Sequence, residues 1–237
     1  MDWDVTKTDV VILCGGQGKR LRKVVQDRPK IMADIGGRPF LVMLIDWLRS
    51  YGIKRVILCV GYKANIIREY CEVNNLGVTI EFSYEDKPLG TGGALRNAEH
   101  LIYSNPFFCM NGDSILSFSL KDLLSFHLEN SADASIVVSY NYDKADFGSI
   151  SLDEDNRITG FLEKSDQFRY LNAGFYCFNR DIFSFMPSLY KFSLEYDFFP
   201  NLLLSKRIYG FKTNKGFYDI GTPERYFNAI KHLKEFL

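Results

Sequence analysis

The sequence predicts an α/β fold, a doubly wound and mostly parallel sheet with a small β extension. Three observations carry this. In the first half, short apolar runs alternate with amphipathic stretches at the spacing of βαβ units. Two of those runs end in a glycine-rich or an acidic loop, the position outside the strand ends where such sheets bind ligands. In the second half the rhythm changes to short strands joined by turns, with no linker, repeat or low-complexity tract. A single domain over 1–237 follows, with halves at about 9–130 and 131–237.

The elements are justified in order. "DVVIL" (9–13) is a strand that leads into "CGGQGKR", and "PFLVMLIDWLRSYG" (39–52) is an amphipathic helix ended by Gly52. "RVILCVG" (55–61) and "VTIEFSY" (78–84) are strands around the helix "KANIIREYCEVNN" (63–75). "GGALRNAEHLI" (92–102) is a helix, "FFCMNGD" (107–113) a strand ending in acid, and "SLKDLLSFHLEN" (119–130) a helix capped by Ser119. Next come two strands in "GSISLDEDNRITGFLEK" (148–164) with a turn at Glu154–Asn156, then the strand "YLNAGFYCF" (170–178). "SLEYDFFPNLLLSK" (193–206) starts as a helix before Pro200, and "IYGFKT" (208–213) and "GFYDIG" (216–221) are strands. "PERYFNAIKHLKEF" (223–236) is a helix with Pro in its first turn.

Composition excludes several classes. With 29 cations against 29 anions the net charge is zero, which argues against nucleic acid as a partner. No apolar run nears the ~20 residues a membrane helix needs, and the acidic start "MDWDVTKTD" is unlike a signal peptide. The five cysteines have no metal-site spacing, and four lie in apolar runs, so buried thiols in a reducing cytoplasm are expected. The three histidines are far apart. The aromatic-rich stretch 178–192 is left between two readings, a cover for the core or a homodimer surface.

The chemistry begins at "GGQGKRLR" (15–22). The dinucleotide fingerprint fails because Leu21 stands where its third glycine belongs, and the Walker pattern fails because Arg20 follows Gly18-Lys19. What remains is a glycine loop after a strand, whose N–H groups suit phosphates, a following helix start adding its dipole. Arg20 can fork onto phosphate oxygens and Lys30 can add a compact charge. "EDKPLGTGGAL" (85–95) is a second glycine-rich loop, and Asp113 and Asp219 stand at strand ends where carboxylates could hold Mg²⁺.

Seven stretches in this order, "GGQGKRLR", "RPKIMADIGGRPFL", "PLGTGGAL", "NGD", "FGSISLDEDNRITGFLEK", "NAGFYCF" and "YDIGTPERY", resemble the sugar-nucleotide pyrophosphorylases from about residue 10 to about 230. These nucleotidyltransferases have a Rossmann-like fold and join a sugar 1-phosphate to an NTP, releasing pyrophosphate. The resemblance implies that 9–130 binds nucleotide and 131–237 the sugar side of the cleft. It implies Arg20, Lys30 and Asp113 as catalytic residues, and Asp113 with Asp219 as Mg²⁺ ligands. Cys14, Gly15, Gly16, Gly18, Glu85, Pro88, Gly90, Thr91 and Gly112 would contact the nucleotide. Gly148, Glu163, Lys164, Asn172 and Gly174 would contact the sugar. Ser165 after Lys164 departs from the "EKP" of many relatives and weakens the case for Lys164.

Glu85 stands where thymidylyl- and uridylyltransferases of this kind often carry Gln. A carboxylate accepts only, and guanine offers two adjacent donors, so GTP is favoured as the NTP partner. In detail the stretches most resemble the bacterial D-glycero-α-D-manno-heptose 1-phosphate guanylyltransferases, which serve surface polysaccharides such as capsule. Mannose 1-phosphate guanylyltransferases and N-acetylmuramate 1-phosphate uridylyltransferases are the alternatives. The end of the chain soon after "YDIGTPE" leads to the expectation of no added acyltransferase or β-helix domain. A non-catalytic subunit that senses nucleotide sugars would be expected to lack one of Arg20, Lys30, Asp113 and Asp219, and all four are present.

Overall fold

The order of strands in one nine-stranded sheet decides where the cleft lies. The computed structural model describes residues 4–140, 148–163, 170–214 and 217–233. The first half contains β1 (Val10–Leu13), the short pair β2 (Asp34–Ile35) and β3 (Arg38–Pro39), α1 (Phe40–Ser50), β4 (Arg55–Val60) and α2 (Ala64–Val73). It continues with β5 (Thr79–Tyr84), α3 (Gly90–Asn97), β6 (Phe107–Asn111), β7 (Ser114–Leu116) and α4 (Leu120–Glu129). The second half adds β8 (Ala134–Tyr140), β9 (Gly148–Leu152), β10 (Ile158–Glu163) and β11 (Tyr170–Phe178). After these come α5 (Phe199–Leu202), β12 (Ile208–Thr213), β13 (Phe217–Asp219) and α6 (Pro223–Leu233).

The main path is β10-β9-β11-β6-β1-β4-β5, with β8 joined to β11 and β12 to β8. β5, β4, β1 and β6 are parallel, and β11 enters antiparallel to β6. β8 and β9 oppose β11, β12 follows β8, and β10 opposes β9. Seven of the nine strands therefore point one way, and only β10 and β11 run against them. The expected mostly parallel sheet is found, with both reversals in the second half.

Both faces of the sheet are buried, which is why β1 reads as an unbroken apolar run. Val10 and Ile12 join a layer with α1, α4 and α6, while Val11 joins the opposite layer with α3 and the aromatics Phe183, Phe192 and Phe198. Each such side chain contributes about 1.5–3 kcal/mol on burial. The 178–192 stretch both covers the core, through Ile182, Phe183 and Phe192, and leaves Phe185, Leu189 and Tyr190 exposed. Cys14, Cys59, Cys109 and Cys177 are buried and Cys71 is half-buried, as the apolar runs around them suggested. Among the described residues no helix is long and apolar enough to cross a membrane.

Most predicted elements are present. Ser119 accepts the Asp122 N–H at the start of α4, and the 193–206 stretch opens with a π-helical turn, Leu194–Phe198, that runs into α5 around Pro200. Pattern reading passes over β8 and the short strands β2, β3 and β7. The apolar centre of β8 is only Ile136-Val137-Val138 between serines, too short a run for periodicity to identify. The glycine loop is followed by a three-residue 3₁₀ turn, Leu21–Lys23, and no α-helix, so the expected helix dipole is absent there.

β8 also fixes a buried histidine. His127 on α4 meets the Ser135 hydroxyl at 2.9 Å and the Asn179 side-chain oxygen at 3.2 Å. Burial pushes its pKa down to about 4, against the opposing pull of Asn179 and Asp133. The folded protein holds this imidazole neutral while the unfolded chain protonates it near the ordinary value of about 6.5. Its contribution is therefore complete above about pH 6.5 and is lost as pH falls towards 4. Unfolding free energies from urea titrations should drop across that window with a slope of up to about 1.4 kcal/mol per pH unit from this group. A His127→Gln protein should show a shallower pH dependence there.

Candidate active site

The glycine loop leaves β1 between β4 and β6, and backbone hydrogen bonds tie it to both neighbours. Cys14 N–H donates to the Cys59 carbonyl at 3.0 Å, Gly112 N–H to Leu13 at 2.9 Å, and Tyr62 N–H to Gly15 at 3.1 Å. The Cys14 thiol donates to the Cys59 carbonyl at 3.1 Å, and burial pushes its pKa well above the ordinary range. It is thus a neutral packing group, and only its backbone can serve a nucleotide. Gly112 sits in tight quarters: a Cβ there would lie 3.0 Å from both Leu13 O and Cys14 Cβ. Gly18 has φ +58°, which glycine adopts without strain, and it packs against the Lys30 stem. Gly16 borders open space, with nothing within 4 Å of a built Cβ.

Charged groups converge beside this loop. Lys30 Nζ donates to Asp113 Oδ2 at 2.7 Å, with the two side chains 18% and 32% exposed. Burial opposes ionisation of Asp113, but the Lys30 charge and hydrogen bond, the Ser114 hydroxyl and the Arg20 charge together hold its carboxyl below the usual range. Asp219 arrives through β13, which pairs with β7 so that Asp219 stands opposite Ser114. Ile220 N–H completes the tie by donating to the Asp113 carbonyl at 2.9 Å. Asp219 is buried; its Oδ1 accepts Gly221 N–H at 2.9 Å and Arg225 Nη1 at 3.4 Å. Arg20 closes the group, its guanidinium 3.6 Å from a Cβ built on Gly221. Sequence reasoning missed Arg225, whose place on α6 next to Asp219 only the fold shows.

On the other side of the loop Glu85 follows β5 and reaches back over β1. A Cβ on Gly15 would lie 1.7 Å from Glu85 Oε1, and one on Gly61 2.7 Å from Glu85 Cγ. Both glycines exist to admit this carboxylate. Its Oε2 accepts Leu89 N–H at 2.9 Å; burial raises its pKa and that hydrogen bond opposes the rise. Gly15, Gln17, Gly61, Tyr62, Glu85, Asp86, Lys87 and Pro88 line a cleft of about 160 Å³ here. Arg22 lies over the Tyr62 ring at 4.3 Å. Gly61 and Tyr62 carry no motif of their own and were not legible in the sequence.

The second glycine-rich loop is engaged with protein. Gly92 and Gly93 N–H groups donate to the Phe192 carbonyl at 3.0 and 3.2 Å. Gly90, at φ +75°, leaves no room for a Cβ beside that same carbonyl. The Thr91 hydroxyl donates to Glu195 Oε2 at 2.7 Å and accepts Leu194 N–H at 2.9 Å. Glu195 also accepts from the Ser193 and Tyr176 hydroxyls. Gly90 and Thr91 are therefore held by protein contacts behind Leu89 and the cleft residue Pro88.

The sugar-side candidates are drawn together by register. Glu163 pairs with Gly148 across β10 and β9, and Leu171 pairs with Ser149, which sets Gly148 beside Asn172. The register of β11 shifts between Asn172 and Tyr176. In that bulge Asn172 Oδ1 accepts Gly174 N–H at 2.9 Å and its amide donates to the Tyr176 hydroxyl at 3.2 Å, so its side chain is committed within the strand. Gly174, at φ +71°, leaves its Cβ position to the Asn111 side chain. Lys164 lies outside the described residues, and Glu163 is described here by its strand position alone.

A strand-end glycine loop, a lysine–aspartate pair and a second strand-end aspartate thus lie together between a cleft and a β extension, the arrangement expected of an enzyme that handles nucleotide phosphates. The nucleotidyl transferase family profile matches residues 9–235, and the chain belongs to that family. It is 35% identical over 230 residues to the D-glycero-alpha-D-manno-heptose 1-phosphate guanylyltransferase of Aneurinibacillus thermoaerophilus, covering 97% of this chain and 100% of that relative. It is also 35% identical to the mannose-1-phosphate guanylyltransferase of Mycobacterium tuberculosis, covering 92% of this chain but only 62% of that protein. The crystal structure of HddC from Yersinia pseudotuberculosis superposes with a TM-score of 0.86 at 36% identity, covering 97% of this chain and 100% of that one; HddC has also been solved in complex with GMP-PN.

Two neighbouring glycines separate ligand space from protein space. Gly15→Ala must displace Glu85 and should raise the Kd for GTP about tenfold or more, since a buried polar contact is lost. Gly16→Ala meets nothing in the protein, so its unfolding free energy should stay within about 0.5 kcal/mol of wild type. A loss of GTP binding by this stable variant in titration calorimetry would place the triphosphate against residue 16.

Proposed function

We propose that this protein is a sugar 1-phosphate guanylyltransferase that joins GTP to D-glycero-α-D-manno-heptose 1-phosphate and releases pyrophosphate. One observation carries the reading. Across the strand order β5-β4-β1-β6-β11-β9-β10 the candidate residues fall in the order that a nucleotide sugar requires. Glu85 follows β5, the glycine loop follows β1, Asp113 follows β6, and Asn172, Gly148 and Glu163 lie on β11, β9 and β10. Base, phosphates and sugar are thus laid out along one edge. The full-length similarity to heptose 1-phosphate guanylyltransferases supports the choice of sugar. Mannose 1-phosphate is the second reading, supported by a relative of equal identity.

In this reading a phosphate oxygen of the sugar 1-phosphate attacks the α-phosphorus of GTP, forming one P–O bond as the bond to pyrophosphate breaks. The chain's part is positioning and charge neutralisation. Glu85 accepts from guanine N1–H and N2–H₂, which favour its ionised form over the neutral one that burial promotes. Glycine-loop N–H groups and Arg20 hold the β- and γ-phosphates, and Lys30 neutralises the α-phosphate as charge builds. Asp113 and Asp219 would hold Mg²⁺. Two carboxylates on adjoining strand ends fit an ion that binds one or two protein carboxylates together with phosphates, and the ion would supply charge neutralisation between the reacting groups. The five free cysteines fit a reducing cytoplasm, and the product would serve surface polysaccharide synthesis.

The test is pyrophosphate release with Mg²⁺ over four NTPs and a panel of sugar 1-phosphates including the heptose and mannose. Turnover restricted to GTP with the heptose is expected. NTP binding without turnover of any pair would replace the enzyme with a sensing subunit. Lys30→Ala and Asp113→Asn should each lower kcat by roughly 10²–10³-fold, the scale for loss of one preorganised electrostatic group. Far-UV spectra should stay unchanged.

A further inference from the structure

The glycine loop is long and thinly attached. Residues 16–28 carry Arg20 and lead into Lys30, and their backbone bonds are local: Leu21 and Arg22 N–H donate to Gly18, and Val25 N–H donates to Leu21. Leu21 and Val25 are buried, while Gln26, Asp27 and Arg28 are exposed. Arg28 spends its charge on its neighbour Asp27. Among the described residues, the hydrogen bonds that reach 16–28 from elsewhere in the chain come from one side chain, Lys63. Its Nζ donates to the Gln26 carbonyl at 3.0 Å and to the Asp27 carbonyl at 2.7 Å.

Lys63 is an odd residue for its place. It stands before α2 with φ 53° and ψ 38°, the left-handed region, which costs a residue with a Cβ and which glycine or asparagine fills more readily. Strain of this kind persists only where the surroundings enforce it, and it collects at sites with a task. The helix start gains nothing from a lysine, since an ammonium accepts no N–H and its charge opposes the dipole there. The turn 61–63 also lines the cleft beneath Glu85 through Gly61 and Tyr62. A second tie joins the same two pieces of chain: Arg22 lies over the Tyr62 ring at 4.3 Å, and Lys63 Nζ is 5.5 Å from that ring.

The place of this contact gives its consequence. The two carbonyls that Lys63 holds lie between Arg20 and Lys30 in the chain, the cations assigned above to the phosphates. We propose that Lys63 is a positioning residue, a latch that fixes residues 26 and 27 and so keeps Arg20 and Lys30 ordered for the triphosphate. Its role toward phosphate rests on the reaction proposed above; the latch itself rests on the contacts alone.

The experiment compares wild type with Lys63→Asn, which suits the left-handed turn but cannot reach the loop, and with Lys63→Arg, which keeps charge and donors. Trypsin cleavage after Lys19, Arg20, Arg22 and Lys23 is followed by mass spectrometry without nucleotide, and Kd values for GTP and GMP are measured by titration calorimetry. Lys63→Asn should be cut in the loop about fivefold faster or more, because the local opening is less costly. Its Kd for GTP should rise about tenfold as the share of molecules with an ordered loop falls. Its Kd for GMP, which lacks the β- and γ-phosphates, should change less than about twofold on the same grounds. Lys63→Arg should return all three values to near wild type. The ratio of the two Kd values within one protein is independent of the fraction folded. An unchanged cleavage rate in Lys63→Asn overturns the latch whether or not the reaction holds. Equal weakening of GTP and GMP overturns the role toward phosphate while leaving the reaction in place. A wild type that binds no NTP overturns the reaction, and this assignment with it.

Discussion

The Lys30–Asp113 pair is the contact on which the cleft depends. It sits where three separate pieces of chain meet: the stem of Lys30 packs under Gly18, and the Asp113 carbonyl receives Ile220. The two charges satisfy each other in a half-buried place where neither would be stable alone. In the proposed reaction a triphosphate and a divalent cation would offer each partner a replacement of the right sign, so a pair already ordered by the fold would serve electrostatic catalysis at low reorganisation cost.

Around that pair, glycine does opposite jobs in two loops of similar composition. In the first loop Gly15 and Gly112 remove side chains so that Glu85, Leu13 and Cys14 can approach, and Gly16 borders open space. In the second, Gly90, Gly92 and Gly93 clear space for Phe192, and Gly92 and Gly93 donate to its carbonyl. The same residue type thus leaves space open in one place and serves packing in the other. Composition alone cannot tell these apart, because the difference lies in what the neighbouring segment places there.

The proposed sugar side depends on a break in the ladder. β11 is long enough to pair with β6 near its end and with β9 near its start, and the bulge between them leaves backbone and side-chain groups outside regular pairing. Asn172 and Tyr176 satisfy part of that irregularity, and Glu195 carries the network on to Thr91 behind the base cleft. One chain of hydrogen bonds thus links the β11 bulge to the loop behind Pro88.

The parallel half of the fold, the glycine loop and the acids at strand ends were legible in the sequence, because each is set by local rules. Apolar runs between amphipathic stretches report burial on both faces, and glycines followed by cations report a close anionic approach. Glu85 and Asp113 could be named as candidates from motif order alone. The resemblance also named Asp113 and Asp219 together, but the pairing of β13 with β7 that brings these distant segments side by side was not legible. Strand β8 was lost to pattern reading for want of a long apolar run, although it carries β12 and anchors His127 through Ser135. Asn111 stood in the quoted "NGD", yet nothing local marks its side-chain oxygen as buried; only the meeting of β6 with β11 decides that.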